Sequence, residues 1–255
     1  MDDFLRELTD FARSHGVRCT QPVVLRDRAN LLVHLAPAPV VARVPVVTAV
    51  VRPDPARHLV RERQLAVWLR TRGVAVVGPS DLVPDAVHRI GDRVVSFLEF
   101  VRHDGHPDLD TATAAQRDLA RVMIDYPGSL PPLVESVDDF SAAVAELEEV
   151  GSDDDVELAR LRDRWAHLDI DAVPLHGDAH ARNILLTKRG LVWNDFEDAC
   201  RGPEVWDRFV AQGALAIPSN EVEAWCVQYR AIQGRVWPRL VERVHARRAD
   251  EVNDR

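Results

Sequence analysis

The residue types with the most chemical potential stand together in His176-Gly177-Asp178-Ala179-His180-Ala181-Arg182-Asn183. An apolar run, Ile184 to Thr187, follows, then Lys188-Arg189-Gly190, a second apolar run, Leu191 to Asn194, and finally Asp195-Phe196-Glu197. Loop, strand, tight turn, strand and carboxylate in that order predict a hairpin turned at Arg189-Gly190, which sets Asn183 beside Asp195. An amide oxygen and a carboxylate are hard ligands. They are too few for an all-protein cage and suit Mg2+, which completes its shell with water and phosphate oxygens. Asp178, on an irregular loop, can reach the same point from the other side, orient an acceptor hydroxyl and take its proton as the bond to phosphorus forms. The chemistry written here is phosphoryl transfer, with His176 bracing the loop through backbone hydrogen bonds.

A competing reading takes His176, Asp178 and His180 as transition-metal ligands of a hydrolase, since residues i, i+2 and i+4 of a strand share a face. Gly177 and Ala179 make a poor strand, however, and that reading leaves the Asn183 and Asp195 hairpin without a purpose.

The elements that must carry these residues divide by charge. The chain has 255 residues, with one lysine, Lys188, among 32 basic residues and a formal charge of -9. Residues 1–101 hold 14 basic and 11 acidic residues, against 18 and 30 in residues 102–255. Net acidity argues against a nucleic-acid partner, and the division suits an anionic ligand on one part and a cationic one on the other. Three scattered cysteines fit a reducing cytoplasm, and the acidic start MDDFLREL lacks the pattern of a signal peptide. The stretch Leu31 to Val51 is broken by His34, Arg43 and three prolines, so it reads as strands and not as a membrane span.

Periodicity predicts a helix from Phe4 closed by Gly16, then strands at Pro22–Leu25, Leu31–Leu35 and Val40–Val44. A helix at His58–Arg70 and strands at Val74–Val77 and Arg93–Val101 complete a sheet with one inserted helix. After the loop cluster His103–Pro107 the pattern turns helical, at Thr111–Ile124, Ser141–Val150 and Glu221–Val236. The expected division is therefore 1–101 and 102–255. The run Glu135 to Glu157 holds ten carboxylates and no basic residue, and it reads as a solvated helix face plus loop, with a binding wall as the alternative.

HGDxHxxN, an apolar hairpin ending in DFE, then Gly202-Pro203 and Trp206-Asp207 together resemble the aminoglycoside phosphotransferase family, relatives of choline kinases and protein kinases. The resemblance implies an α+β, two-lobed protein-kinase-like fold. Its N-lobe is a small antiparallel sheet with one helix, and its larger, mainly helical C-lobe carries the catalytic loop and acceptor site. By that resemblance Asp178 is the catalytic base, Asn183 and Asp195 hold Mg2+, Asp207 steadies the catalytic segment, and ATP or GTP binds between the lobes. Where the family places a phosphate-gripping lysine this sequence has Arg43, with Glu62 as its partner; Lys188 sits in the hairpin turn, facing solvent. The loop Leu25–Leu31 contains no glycine, so its amides cradle phosphate only if Asn30 takes a turn conformation, with Arg26 or Arg28 adding charge. Ser96–Val101 reads as the hinge, with the Glu99 carbonyl and the Val101 amide meeting adenine.

The expected activity is transfer of the γ-phosphate to a hydroxyl of a small cationic acceptor: an aminoglycoside-like antibiotic, amino sugar or amino alcohol. The expected protein is cytoplasmic, a monomer or weak dimer, with neither nucleic acid nor membrane as partner. Trp225, Tyr229 and Trp237 read as core or as an acceptor wall. Arg43 and the glycine-free loop motivate the alternative, a nucleotide-binding protein with little turnover.

Overall fold

The computed structural model describes residues 2–212 and 217–253. Helix α1 (Asp2–Ser14) leads into strands β1 (Cys19–Asp27), β2 (Asn30–Pro37) and β3 (Val40–Pro45). After the short α2 (Thr48–Val51) and α3 (Pro55–Thr71) come β4 (His88–Ile90) and β5 (Arg93–Glu99). The five strands form one antiparallel sheet in the order β1-β2-β3-β5-β4. Alternation along β3 decides which side chains face the core under α1. Ala42 and Val44 pack with Leu31, Val33, Leu35 and Phe97 against Phe4, Leu8 and Ala12 of α1, so Val41 and Arg43 take the opposite face. Helix α3 starts on an Asp54 cap with Pro55 in its first turn and stops at Gly73, whose φ of +80° only glycine adopts freely.

The segment Val74–Val77 does not join this sheet. Its Val76 bridges to Trp193, with Val77 N–H donating to the Trp193 carbonyl at 2.8 Å and Trp193 N–H to Ala75 at 2.9 Å. The pattern predicts a strand of this sheet, but the run makes only an isolated bridge outside it. The segment fastens the end of α3 to the hairpin that ends at Trp193, and β4 takes the expected place beside β5.

The remainder is mainly helical: α4 (Leu109–Met123), α5 (Glu135–Glu146), α6 (Asp153–Trp165), α7 (Val205–Gln212) and α8 (Glu221–Asn253). Two antiparallel pairs interrupt it, β6 (Ala172–Leu175) with β9 (Cys200–Pro203), and β7 (Ile184–Thr187) with β8 (Gly190–Trp193). Trp206, Trp225 and Tyr229 are fully buried in the core between α5, α6, α7 and α8, whereas Trp237 is only half-buried. The expected helix Ser141–Val150 begins and ends earlier, because Glu148 at φ 63° and Gly151 at φ 84° turn the chain while Glu135 and Asp138 favour the helix start. Helix α8 continues 17 residues beyond the expected end at Val236, through Pro238.

That extension has an electrostatic partner. Arg235, Arg239, Arg243 and Arg247 of α8 pair with Asp154, Glu149, Glu148 and Glu146. Of the ten carboxylates between Glu135 and Glu157, eight have an arginine within 4.0 Å: these four, Glu135, Asp138, Asp139 and Glu157. Exposed pairs contribute about 0–1 kcal/mol each, so their main effect is neutralisation. Among the described residues no helix is long and apolar enough to cross a membrane.

Candidate active site

Between the sheet and the helices lies a cleft of about 650 Å3, lined by Arg43, Asp178, Asn183, Asp195, Glu99 and Val101 among others. Strand β6 delivers the His176–Asn183 segment to it. At Gly177 the backbone has φ 88°, and an added Cβ would lie 2.0 Å from the Asp198 carbonyl oxygen, so only glycine fits. Buried Asp207 at the start of α7 accepts from the amides of His176 (2.7 Å) and Gly177 (3.0 Å), and the Trp206 indole donates to the Gly177 carbonyl at 2.7 Å. Burial pushes Asp207 up to about 7 against these two donors.

His176 is fully buried, with Nε2 3.2 Å from the Asn194 carbonyl and Nδ1 accepting from the Asp178 amide at 3.3 Å. Both ring nitrogens are thus spent inside the protein. The metal-ligand reading of His176, Asp178 and His180 fails on this point, and the bracing role holds.

Asp178 faces three donors: His180 Nε2 at 3.2 Å and Asn183 Nδ2 at 3.3 Å from Oδ2, and Arg230 at 3.4 Å from Oδ1. Burial alone would raise its pKa. The His180 hydrogen bond and the charges of His180 and Arg230 instead hold it well below the usual carboxylate range, while Asp178 raises His180 against the effect of burial. A carboxylate this acidic is ionised and oriented at neutral pH, which suits positioning a hydroxyl for a loose transition state better than forced deprotonation.

The hairpin β7–β8 folds as expected. Ile184 pairs with Trp193, and Asn194 N–H donates to the Asn183 carbonyl at 2.9 Å, which carries Asp195 to the same end of the hairpin as Asn183. Asp195 adopts φ 68°, rare for a residue with a side chain and frequent at functional sites. Asn183 Nδ2 is used on the Asp178 carbonyl at 2.8 Å. Among the described residues nothing donates to its Oδ1 or to Asp195 Oδ2, so two hard oxygens remain free in the cleft, a donor set that fits a divalent cation.

Arg43 lines the cleft. It is buried on the central strand, with Nη1 2.6 Å from Glu62, and Nη2 2.5 Å from Asp195 and 2.9 Å from Glu197. Burial opposes its charge, but Asp195, Glu197 and Glu62 together keep it firmly protonated. Glu62 also accepts from the Phe196 amide; burial pushes it up to about 7 against the pull of Arg43, and Asp195 and Glu197 add to the rise. Arg52 extends the network to Asp139 (2.9 Å), Glu197 (3.4 Å) and Asp198. Five carboxylates thus surround two guanidiniums, an excess that a cation on Asp195 would reduce.

Asn30 differs from expectation. It opens β2 instead of forming a turn, and its side chain donates to Glu197 at 3.3 Å. The turn falls at Arg28-Ala29, while Arg26 and Arg28 line the cleft with no carboxylate partner among the described residues. At the other rim, Glu99 turns its carboxylate to Arg70 at 2.5 Å, and its amide donates to Gly78. The Val101 amide donates to no protein group among the described residues. Lys188 is exposed in the hairpin turn. Sequence reasoning missed Glu197, Arg52, Asp139, Asp198 and Arg230. Only Glu197 carried a signal: a guanidinium has five donors and needs more carboxylates than a lysine does.

An antiparallel sheet lobe and a helical lobe meeting at a cleft that holds Asp178, Asn183 and Asp195 define a kinase-like phosphotransferase. The chain belongs to the phosphotransferase enzyme family (APH), whose sequence model matches residues 4–242; it is a small-molecule kinase. Amicoumacin kinase hAmiN, solved in complex with AMP-PNP, Ca2+ and Ami, is similar at TM-score 0.56 and 12% identity, over 92% of this chain and 78% of that one. The aminoglycoside phosphotransferase APH(3'')-Id from Streptomyces rimosus gives 0.55 at 16% identity, over 89% and 98%. A microcompartment-associated aminopropanol kinase gives 0.56 at 18% identity, over 91% and 81%. At these identities the likeness is one of fold. No curated protein matches the sequence.

Proposed function

We propose that the protein is an ATP-dependent O-phosphotransferase that moves the γ-phosphate to a hydroxyl of a small acceptor. The single observation that carries this reading is Asp178, oriented by three donors, in one cleft with the free oxygens of Asn183 and Asp195. In this reading residues 1–101 form the nucleotide lobe, and residues 102–255 hold the catalytic loop and acceptor site. The Glu99 carbonyl and Val101 amide receive adenine. Arg43, held by Glu62, fixes Asp195, and the free guanidiniums of Arg26 and Arg28 meet the phosphates. Asn183 and Asp195 hold Mg2+, which when bound neutralises phosphate charge. Asp178 aligns the acceptor oxygen and accepts its proton as that oxygen bonds to the γ-phosphorus; the bond to the bridging oxygen breaks and ADP leaves.

The amine-bearing acceptor expected from the acidity of residues 102–255 loses part of that support, because eight of the ten carboxylates of the Glu135 to Glu157 run, and Asp178, Asp195, Glu197 and Asp198 of the cleft, are paired with arginines. What lines the acceptor side is Phe140, Trp237 and Val241 beside Ser136, Gln233 and Arg230. That wall suits a hydroxylated molecule with an apolar portion.

A panel of hydroxylated acceptors, with and without amines, given ATP or GTP and Mg2+, tests the reading. ADP release coupled to a phosphorylated product is expected, and Asp178→Asn is expected to lower transfer by about 100-fold or more while AMP-PNP still binds. Unchanged turnover in Asp178→Asn would remove the assigned role. Nucleotide binding without transfer to any acceptor would favour the second reading, a binding protein with little turnover. Arg43 seated on Asp195 is the observation that supports that reading.

A further inference from the structure

The β1–β2 turn overhangs the cleft with Leu25, Arg26, Arg28 and Ala29, yet it lacks the glycines that let a backbone wrap phosphate. Contacts from two sides hold it instead. On its own lobe, the Ala29 carbonyl accepts from the amides of Val46 at 3.1 Å and Val47 at 2.9 Å. From the other lobe comes the far end of α8. Arg248 grips Asp27 in a bidentate pair, at 2.8 and 3.3 Å, and His245 Nε2 lies 3.2 Å from the Arg28 carbonyl. The same helix places Arg230 at 3.4 Å from Asp178 and Trp237 in the cleft wall. One helix, continuous through Pro238, therefore runs from Asp178 to the turn. The two helix residues of the clamp, His245 and Arg248, lie beyond residue 242, where the match to the family ends.

We infer that Asp27 and Arg248 are a positioning pair: the end of α8 fixes the glycine-free turn so that Arg26 and Arg28 meet the nucleotide phosphates. This rests on the nucleotide-kinase reading above. A bidentate pair adds geometry as well as attraction, because the planar fork fixes the direction of approach. Without it the turn keeps its strands but loses its registration over the phosphates.

Calorimetric titration of the full chain with AMP-PNP and Mg2+ tests the inference without knowledge of the acceptor. Arg248→Ala and Asp27→Asn are each expected to weaken binding about three- to fivefold, with thermal unfolding of the free protein unchanged to within about 2 °C. Asp27→Asn separates position from charge. Deleting a negative charge near the phosphates would tighten binding if charge alone mattered, whereas loss of the clamp weakens it. Reversing the pair, Asp27→Arg with Arg248→Asp, is expected to restore affinity to within about twofold of wild type. Unchanged affinity in Arg248→Ala, tighter binding in Asp27→Asn, or a reversed pair no better than the single variants would overturn the inference. No binding by the wild-type protein would remove the nucleotide reading itself, a distinct result.

Discussion

Replacing Arg43 with lysine keeps the charge and removes the fork, so it separates what the guanidinium does by geometry from what it does by charge. In the structure Nη1 serves Glu62 while Nη2 serves Asp195 and Glu197, at 2.5 to 2.9 Å, with the arginine side chain 3% exposed. A lysine ends in one nitrogen on a shorter reach and can serve one side of this set, leaving a buried carboxylate without its partner. Breaking a buried pair outright costs about 3–5 kcal/mol; with one side retained, about 2 kcal/mol is expected. Proton uptake limits that loss. Glu62 stands at about 7 already, so at pH 6 the orphaned carboxyl is neutral in the fold and the penalty is small. Above about 7 the wild-type Glu62 ionises beside Arg43 while an orphaned carboxyl stays protonated in the fold, so by pH 8 the variant falls behind by up to about 1.4 kcal/mol per pH unit. Thermal unfolding of wild type and Arg43→Lys, followed by circular dichroism at pH 6 and pH 8, is the assay. At roughly 2–4 °C per kcal/mol the variant should melt about 4–8 °C lower at pH 8, with a smaller gap at pH 6. Equal melting at both pH values, or a gap that widens towards pH 6, would refute the reasoning that Arg43 is matched to three carboxylates.

Gly177→Ala should lower stability by at least about 2 kcal/mol and abolish transfer, because the new Cβ meets a backbone carbonyl that cannot move aside; a melting temperature within about 2 °C of wild type would contradict the tight-loop geometry. The pH dependence of stability has a definite sign: Glu62, raised from 4.5, and Asp207, raised from 3.8, both titrate at about 7 in the fold. Their contributions are therefore fully present below about pH 4 and are lost as pH rises through 7. Asp207→Asn, which cannot ionise, should flatten the decline in denaturant-derived stability between pH 5 and pH 8, and an unchanged slope would assign it to other groups.

The catalytic segment was legible because its spacing is local. HGDxHxxN and the DFE hairpin each fix their own geometry within about twenty residues. The strands β1 to β3 were legible from alternation, but alternation is symmetric between faces, and only the packing of α1 on Ala42 and Val44 turns Arg43 into the cleft. The Val74–Val77 segment shows the limit of local pattern. An apolar run reports burial and extension, while its partner, Trp193 more than a hundred residues away, is a tertiary fact. Arg52, Asp139 and Asp198 were illegible for the same reason: each is an ordinary charged residue until folding buries them together.

Net charge and the charges a ligand meets are different quantities. A count of 30 acidic against 18 basic residues in positions 102–255 describes the field at a distance, not the charges a ligand would touch. The carboxylates of the Glu135 to Glu157 run mostly face arginines of α8 or Arg52, and the cleft's own carboxylates face Arg43, Arg52, Arg70 and Arg230. Among the described residues, the cleft arginines with no carboxylate partner are Arg26 and Arg28, at the end where the phosphates are proposed to bind, and Arg182 beside Asn183. Recognition follows the unpaired charges, because paired ones have already exchanged their hydration for a partner. By that logic the arginine-rich composition matters twice: it neutralises the acidic helices, and it leaves guanidiniums for an anionic nucleotide. Arg43 belongs to the first group, since its contacts with Glu62, Asp195 and Glu197 are internal, and the proposal above accordingly gives the phosphate contact to the turn that α8 holds.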